Sequence, residues 1–304
     1  MKRKTIQLLL FVILTSVFYV SCEEKVEEKK MTLVVASSDV KFEMTGAGYL
    51  TIDWGDGTKE QFTLSKYKSE YFHEYQSGER HTIILNGWVS TLYAGKFYMD
   101  GNDATNQIIS LDAGNNNSLK YLDCSENILA NLNISKCTEL TELYCWNNQL
   151  TSLDVSKNKA LTMLKCWNNQ LTNLDISKNV ELTEMSCGNN KISNLDLTHN
   201  INMIELYCND NQLTKLDVSK NIKLRGLYCH NNQLTGFDAT YNEKLKGLYC
   251  QNNQFQIYAL NALFTTLHNK TISGGKTVCV SDNPGTKYCD PKIAEYKGWS
   301  VIRL

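Results

Sequence analysis

The chain has 304 residues, of which 31 are basic and 32 acidic, and its formal net charge at pH 7 is −1. A balance this close to neutral argues against nucleic acid as a partner, because binding to phosphates requires a concentrated basic face. Beyond the N-terminus, no segment approaches the run of about 20 apolar residues that a transmembrane helix needs.

The first 21 residues have the organisation of a secretion signal. A basic stretch, Met1–Lys4, precedes an apolar run from Leu8 to Val20, and we exclude residues 1–21 from the fold. The run ends at a small residue followed by Cys22, which resembles the lipobox of bacterial lipoproteins. The resemblance implies that Cys22 is lipidated and anchors the protein without a spanning helix. The alternative is an ordinary signal peptide with an incidental cysteine.

Residues 22–30 are dominated by Glu and Lys and predict a solvated tether, because such a run cannot form a core. An acidic patch directly after the lipidated cysteine is similar to signals that send lipoproteins of Bacteroidetes to the outer face of the outer membrane. The resemblance implies an exported outer-membrane lipoprotein exposed at the cell surface. A simple linker on a lipoprotein facing the periplasm is the alternative.

Residues 31–90 contain short β-rich segments separated by turn residues, including a hairpin signal at Asp56-Gly57. The string Ile52–Thr58 and the later Phe72–Tyr75 resemble the Trp-Gly-Asp-Gly turn and His-x-Tyr strand of PKD-like domains. This resemblance implies a small immunoglobulin-like β-sandwich that serves as a spacer. We interpret Asp53 and Asp56 as turn residues that bond their own backbone rather than as metal ligands.

Residues 91–256 repeat one pattern with a period of 21. A fixed short period predicts a solenoid, because each unit cannot bury its own apolar edge and stacked units bury it jointly. The nine residues Lys96–Ala104 interrupt the period near its start. Such an insertion maps to a surface loop, which lies either at a binding edge or where neutral drift is tolerated.

The unit is Leu-x-x-Leu-x-Cys-x-x-Asn-x-Leu-x-x-Leu-Asp-x-Ser-x-Asn, which resembles the leucine-rich repeat, closest to the 21-residue subclass of bacterial surface proteins. The implied fold class is mainly β: a leucine-rich-repeat solenoid, preceded by the PKD-like sandwich and closed by a C-terminal α/β cap. Because the second half of each unit mimics the first, we expect two short strands in every coil.

Inward columns follow from the alternation of side chains along a strand. One column is predicted to be a ladder of buried thiols about 4.8 Å apart: Cys124, Cys145, Cys166, Cys187, Cys208, Cys229 and Cys250. Two asparagine columns, one containing Asn148 and the other Asn158, are expected to bond the turning backbone of their own and neighbouring coils. An aspartate column that includes Asp154 is interpreted as a hydrogen-bonded polar face, with calcium binding as the alternative.

Outward positions beside the cysteines carry aromatic and polar side chains that the fold does not require. Exposed Trp and Tyr provide contact area at low entropic cost, so they indicate a binding surface. The alternative is that the rings stack between coils and only stiffen the sheet. The candidate binding residues are Tyr144, Trp146, Lys165, Trp167, Tyr207, Tyr228, His230 and Tyr249.

Residues 257–304 leave the period and predict the cap, with helices over 258–267 and 291–297 and strands near 276–280 and 299–302. This tail resembles the caps of the same surface family. Cys279 and Cys289 flank a predicted turn, and a disulfide between them is one possibility.

The sequence contains no recognisable catalytic or cofactor motif, and we predict no catalytic residues, no metal and no cofactor. The predicted function is a lipid-anchored cell-surface protein that mediates protein–protein interaction or adhesion by binding a host or matrix protein, with its partner on a host or neighbouring cell surface. The alternative is glycan capture, with the same aromatic residues as stacking platforms. An enzyme with a pocket between the first two domains is a third, weaker hypothesis.

Overall fold

The computed structural model describes residues 29–99 and 102–303. The predicted signal segment, Cys22 and most of the tether lie outside the described residues. Within this part of the chain, no helix is both long and apolar enough to cross a membrane.

Five strands open the described chain. They are β1 (Lys30–Val35), β2 (Asp39–Asp53), β3 (Lys59–Leu64), β4 (Ser69–Glu74) and β5 (His81–Tyr93). β1 and β2 both pair antiparallel with β5, while β4 pairs with the first part of β2 and β3 with its last part. β2 changes register at Gly46, where a Cβ would overlap the carbonyl oxygen of Trp88. The glycine therefore allows the close approach that bends β2 between its two partners.

The predicted turn roles of the two early aspartates are confirmed. Asp53 accepts a hydrogen bond from the backbone N–H of Gly55 at 3.1 Å, and Asp56 accepts one from Thr58 at 2.9 Å. Asp56 also lies 2.7 Å from Nε2 of His73, and these bonds hold its pKa at about 2. The carboxylates are thus engaged in local structure.

A single 16-stranded sheet joins these strands to the repeats. The last residues of β5, Thr91–Tyr93, pair in parallel with β9 (Tyr121–Asp123). β1 also pairs antiparallel with β8 (Ile108–Asp112). The position chosen as a domain boundary, between residues 90 and 91, therefore lies inside a continuous strand.

The insertion around Lys96–Ala104 contains a short antiparallel pair, β6 (Phe97–Met99) and β7 (Asn102–Ala104). β8 also pairs in parallel with β10 (Asn131–Asn133).

One three-residue strand per coil then continues the sheet in parallel, and each strand is displaced by 21 residues from the last. These strands are β11 (Glu142–Tyr144), β12 (Met163–Lys165), β13 (Glu184–Ser186), β14 (Glu205–Tyr207), β15 (Gly226–Tyr228) and β16 (Gly247–Tyr249). After α1 (Ile257–Thr266), β17 (Thr277–Cys279) extends the same sheet, and α2 (Lys292–Glu295) precedes β18 (Ser300–Ile302). The predicted solenoid is therefore confirmed as the architecture of the repeats.

The expectation of two strands in every coil is wrong. In the described residues, second halves form strands only at β8 and β10. In later second halves the backbone bonds locally: Ser156 N–H donates to the Asp154 carboxylate at 2.9 Å, and Asn158 N–H donates to the Val155 carbonyl at 3.0 Å.

The same local bonds follow β10, where Ser135 N–H donates to Asn133 at 3.1 Å and Cys137 N–H to the Ile134 carbonyl at 3.0 Å, so they do not by themselves prevent a strand. Neighbouring later coils keep a backbone hydrogen bond where the second half begins, for example from Gln170 N–H to the Leu150 carbonyl at 2.8 Å.

The cysteine column is confirmed as a ladder of buried, free thiols, with every member fully shielded from solvent. Cys137, in the second half of an early coil, is buried and free as well. Cys279 and Cys289 are also free, so the structure does not contain the disulfide considered between them. Burial raises the pKa of the Cys187 thiol to about 12, and it raises the pKa of the other column members well above the ordinary range.

The first asparagine column bonds two coils at once, as predicted. Asn190 accepts the Leu171 N–H at 3.0 Å and donates to the carbonyls of Cys166, Cys187 and Gly188 at 3.0–3.1 Å. The second column differs from the prediction. Asn179 donates to two carbonyls of the preceding coil at 2.9 Å, but its Oδ1 has no hydrogen-bond partner among the described residues.

The residue before each ladder asparagine has a separate role that the sequence did not reveal. Asn189 adopts φ of 50°, and its counterparts along the solenoid are also left-handed. Asn and Asp tolerate this conformation better than other residues with a side chain. The two consecutive asparagines therefore have different roles. The first adopts the left-handed conformation at the turn, and the second forms hydrogen bonds with the backbone of the turn.

We predict that stability falls as pH rises above 9. The thiols ionise near pH 9 in the unfolded chain but stay protonated in the folded one, so their contribution is complete below pH 9 and is lost as pH approaches 12. Between these pH values, each such thiol lowers the free energy of unfolding by about 1.4 kcal/mol per pH unit. Urea unfolding at pH 8, 9 and 10 measures the slope. Cys187→Ala should flatten the slope by about one thiol, and equal slopes in both proteins would contradict the prediction.

We predict opposite outcomes for the two neighbouring asparagines of one coil. Asn190→Ala leaves several buried backbone groups without partners and should destabilise the protein by about 3–6 kcal/mol. Asn189→Gly keeps a residue that accepts left-handed φ and should change stability by less than about 1 kcal/mol. Chemical denaturation compares them, and a similar loss in both variants would refute the assignment.

Candidate binding face

Three columns of side chains point outward from the parallel strands. In β11, Leu143 and Cys145 are buried, whereas Glu142, Tyr144 and Trp146 are partly exposed. We call the surface formed by these three positions in β9 and β11–β16 the outer face. The predicted binding residues all lie on it and all are partly exposed: Tyr144, Trp146, Lys165, Trp167, Tyr207, Tyr228, His230 and Tyr249.

The structure brings the aromatic members together in parallel stacks. The rings of Trp146 and Trp167 lie 4.8 Å apart with an interplanar angle of 6°. Tyr228 stacks on Tyr207 at 4.3 Å and on Tyr249 at 4.7 Å. The stacking that the sequence left open is therefore present. The same rings also keep part of their surface exposed, so binding stays a prediction.

A group of mutually tilted tyrosine rings, with interplanar angles of 34° and 35°, extends the outer face toward the N-terminal strands. Tyr93 and Tyr121 lie 4.5 Å apart, and Tyr121 and Tyr144 lie 5.2 Å apart. Lys68 holds its ammonium 3.6 Å from the Tyr93 ring centre and 2.7 Å from Glu43. Sequence reasoning missed Tyr93 and Tyr121, although both lie next to a leucine in the repeat register.

Charged groups on the central part of the face are paired. Lys165 lies 2.9 Å from Glu184, and the Tyr144 hydroxyl donates to Glu142 at 2.8 Å. Burial and this hydrogen bond raise the pKa of Tyr144, which keeps its hydroxyl protonated. Lys165 is thus part of an ion pair rather than an isolated cation.

His230 lies in the third column, 4.0 Å from the Asp210 carboxylate. Burial lowers the pKa of the imidazole despite the nearby carboxylate. We therefore expect a neutral ring near pH 7, which contributes shape and hydrogen bonding rather than charge.

The C-terminal end of the outer face contains a cavity of about 470 Å³ that sequence reasoning missed. The first outward column holds Glu142, Met163, Glu184 and Glu205, and it then changes to Gly226 and Gly247. The loss of two long side chains opens the space. A comparison of this column between coils is the sequence signal that locates it.

The aspartate column forms local turns, as predicted. Asp154, Asp175 and Asp217 each accept a hydrogen bond from the backbone of a serine two residues later at 2.9 Å, which lowers their pKa values. Residues 29–99 and 102–303 contain no group of three or more His, Cys, Asp or Glu side chains arranged to hold a metal ion.

No protein-family model matches the chain, and no match was found among curated proteins. Solved structures do match. The functional domain of InlJ from Listeria monocytogenes, which includes a cysteine ladder, is 27% identical with a TM-score of 0.51, and the match covers 76% of this chain and 56% of that one.

Two further structures are more distant in sequence. An internalin, InlF, from Listeria monocytogenes is 22% identical with a TM-score of 0.52, covering 63% of this chain and 56% of that one. A leucine-rich-repeat protein of Leptospira interrogans is 23% identical with a TM-score of 0.51, covering 61% and 49%. This chain therefore spans about half the length of each structure. Together with the 21-residue coils, these similarities establish the repeats as a leucine-rich-repeat solenoid.

Proposed function

We propose that this protein is a lipid-anchored cell-surface module that binds another protein through its outer face and has no enzymatic activity. The observation that carries the proposal is the row of partly exposed, mutually stacked aromatic rings along one open face of parallel strands. Solenoids use such extended surfaces for binding.

Rigid aromatic side chains are suited to this role. Each ring on the outer face is held by its neighbour, as with Trp146 and Trp167 at 4.8 Å. Ordering loose side chains at an interface costs about 0.5–1.5 kcal/mol for each, and a preformed stack avoids much of that cost. Trp and Tyr are also the residue types that most often dominate interface energetics.

The central ion pair adds specificity to the aromatic row. In the Tyr144 column, Lys165 and Ser186 lie between Tyr144 and Tyr207, and Lys165 is paired with Glu184 at 2.9 Å. A partner that presents complementary charges at this point would exchange contacts with both groups, whereas a mismatched partner would leave one charge unpaired. Such arrangements favour selection between partners more than raw affinity.

The proposed location at the outer membrane is based on the N-terminal sequence. In this proposal, residues 1–21 direct export, Cys22 carries the lipid, and the remaining tether lifts the folded region above the outer membrane. Residues 31–90, with their resemblance to PKD-like domains, act as a spacer. The partner is then a protein on a host or neighbouring cell.

The binding proposal is tested with immobilised collagen, fibronectin and laminin as probes. A Trp146→Ala/Trp167→Ala variant should lose at least about tenfold in affinity for the protein that binds, because both rings leave the face. The matched control is Tyr258→Ala/Tyr296→Ala, two tyrosines that are each 87% exposed and lie off the outer face. Absence of binding to all three probes, or an equal loss in the control, would refute the proposal.

The anchoring proposal is tested separately by fractionating bacterial cells that express the full chain. Cys22→Ser should move the protein from the membrane fraction to the soluble fraction and abolish incorporation of a labelled fatty acid, since the acylated sulfur is gone. Ser21→Ala keeps a small residue before the cysteine and should leave both readouts unchanged. Membrane retention of the Cys22→Ser protein would exclude lipidation as the anchor.

A further inference from the structure

The cavity at the C-terminal end of the outer face is formed by a local departure from the repeat. Gly226 and Gly247 stand where β11–β14 carry Glu or Met, and the Ser273–Gly275 segment forms another wall. Its volume of about 470 Å³ falls within the range of roughly 300–1,000 Å³ found for small-molecule sites.

An aromatic ring borders this cavity at the end of a stack. Tyr249 packs on Tyr228 at 4.7 Å, but the residue in register with it on the next strand is Cys279. Within the described residues, no aromatic ring covers the second face of Tyr249. Tyr228 and Tyr249 lean across Gly226 and Gly247, since a Cβ at either glycine would lie 3.1 Å from the ring that follows it.

A carboxylate also faces the cavity without a partner. The Glu205 side chain lies over Gly226, where a Cβ would overlap it, and it has no hydrogen bond or ion pair within the described residues. Burial, and to a smaller extent the nearby Glu184, raise the pKa of this carboxyl, while the charges of Arg225 and Lys246 act in the opposite direction. Glu142, at the equivalent position of β11, instead accepts a hydrogen bond from Tyr144 at 2.8 Å. Glu205 is therefore free to accept hydrogen bonds from a ligand.

Both charge signs line the cavity, and this restricts the ligand. Arg225 and Lys246 are exposed at the rim, so a cation drawn to Glu205 would be repelled by two basic groups. An anion drawn to the basic groups would in turn be repelled by Glu205. The lining therefore favours a ligand without net charge that carries both hydrogen-bond donors and acceptors.

From these features we propose that the cavity binds a neutral saccharide. The apolar face of a sugar ring packs on the free face of Tyr249, its hydroxyls donate to Glu205, and its oxygens accept from Arg225 and Lys246. Tyr and similar rings combine an apolar face with a polar tip, which matches the two-sided character of a sugar. The Tyr249 platform lies four coils from Trp167, the nearer member of the Trp pair, or about 19 Å at the spacing of paired strands, so the site is separate from the Trp pair.

The test measures binding of the full chain to neutral oligosaccharides of glucose, galactose, mannose and N-acetylglucosamine by calorimetry and array. Gly247→Met should reduce affinity at least about tenfold by filling the cavity. A Cβ at this position would lie 3.1 Å from the Tyr249 ring, which must shift slightly, but the fold should tolerate the change because β11 carries Glu142 two residues before Tyr144. Tyr249→Ala should reduce affinity to a similar extent by removing the platform.

The control is Tyr258→Ala, a tyrosine that is 87% exposed, lies off the outer face and does not line the cavity; we expect unchanged affinity. Glu205→Gln provides a second variant if either of the others is poorly folded, and it should weaken binding because an amide is a poorer acceptor. Absence of binding by every neutral oligosaccharide would overturn the proposal. Binding that survives Gly247→Met, or is lost only in Trp146→Ala/Trp167→Ala, would overturn it as well.

Discussion

The asparagine at the turn after each strand is the contact on which the rest of the solenoid depends. Each such residue, for example Asn190, bonds backbone groups of its own coil and of the preceding coil. These groups are buried, so without the amide they would remain unpaired at a cost of about 1–3 kcal/mol each. Repetition along the chain turns this local bond into a continuous column that fixes how one coil stacks on the next.

Close stacking of coils imposes a constraint on the interior and on the surface. Inside, the position beside the leucines must be narrow, and a buried thiol such as Cys187 meets that requirement as a small apolar group. Outside, equivalent residues on adjacent strands are brought within the distance of paired strands, so identical aromatic rings stack. The rigidity of the outer face is therefore a direct consequence of the inward columns.

The N-terminal strands belong to the same continuous β-sheet as the repeats. β5 contributes its last residues to the parallel ladder, and β1 pairs with β8 on its other side. The outer face is therefore joined to the N-terminal strands by a continuous sheet. The regular order also explains why a departure such as Gly226 and Gly247 is informative: on a repeating surface, a missing side chain creates a defined cavity.

The period of 21, read from the sequence, determined the solenoid, the buried cysteines and the ladder asparagines, because each depends only on alternation within one unit and on repetition. The turns at Asp53 and Asp154 could equally be predicted from the sequence, because each is a hydrogen bond between residues two positions apart. Only the tertiary structure decided that later coils carry one strand rather than two, that residue 90 lies within a shared strand, and that Lys165 is paired with Glu184. These features depend on contacts between residues far apart in the chain, so no spacing within a single repeat encodes them.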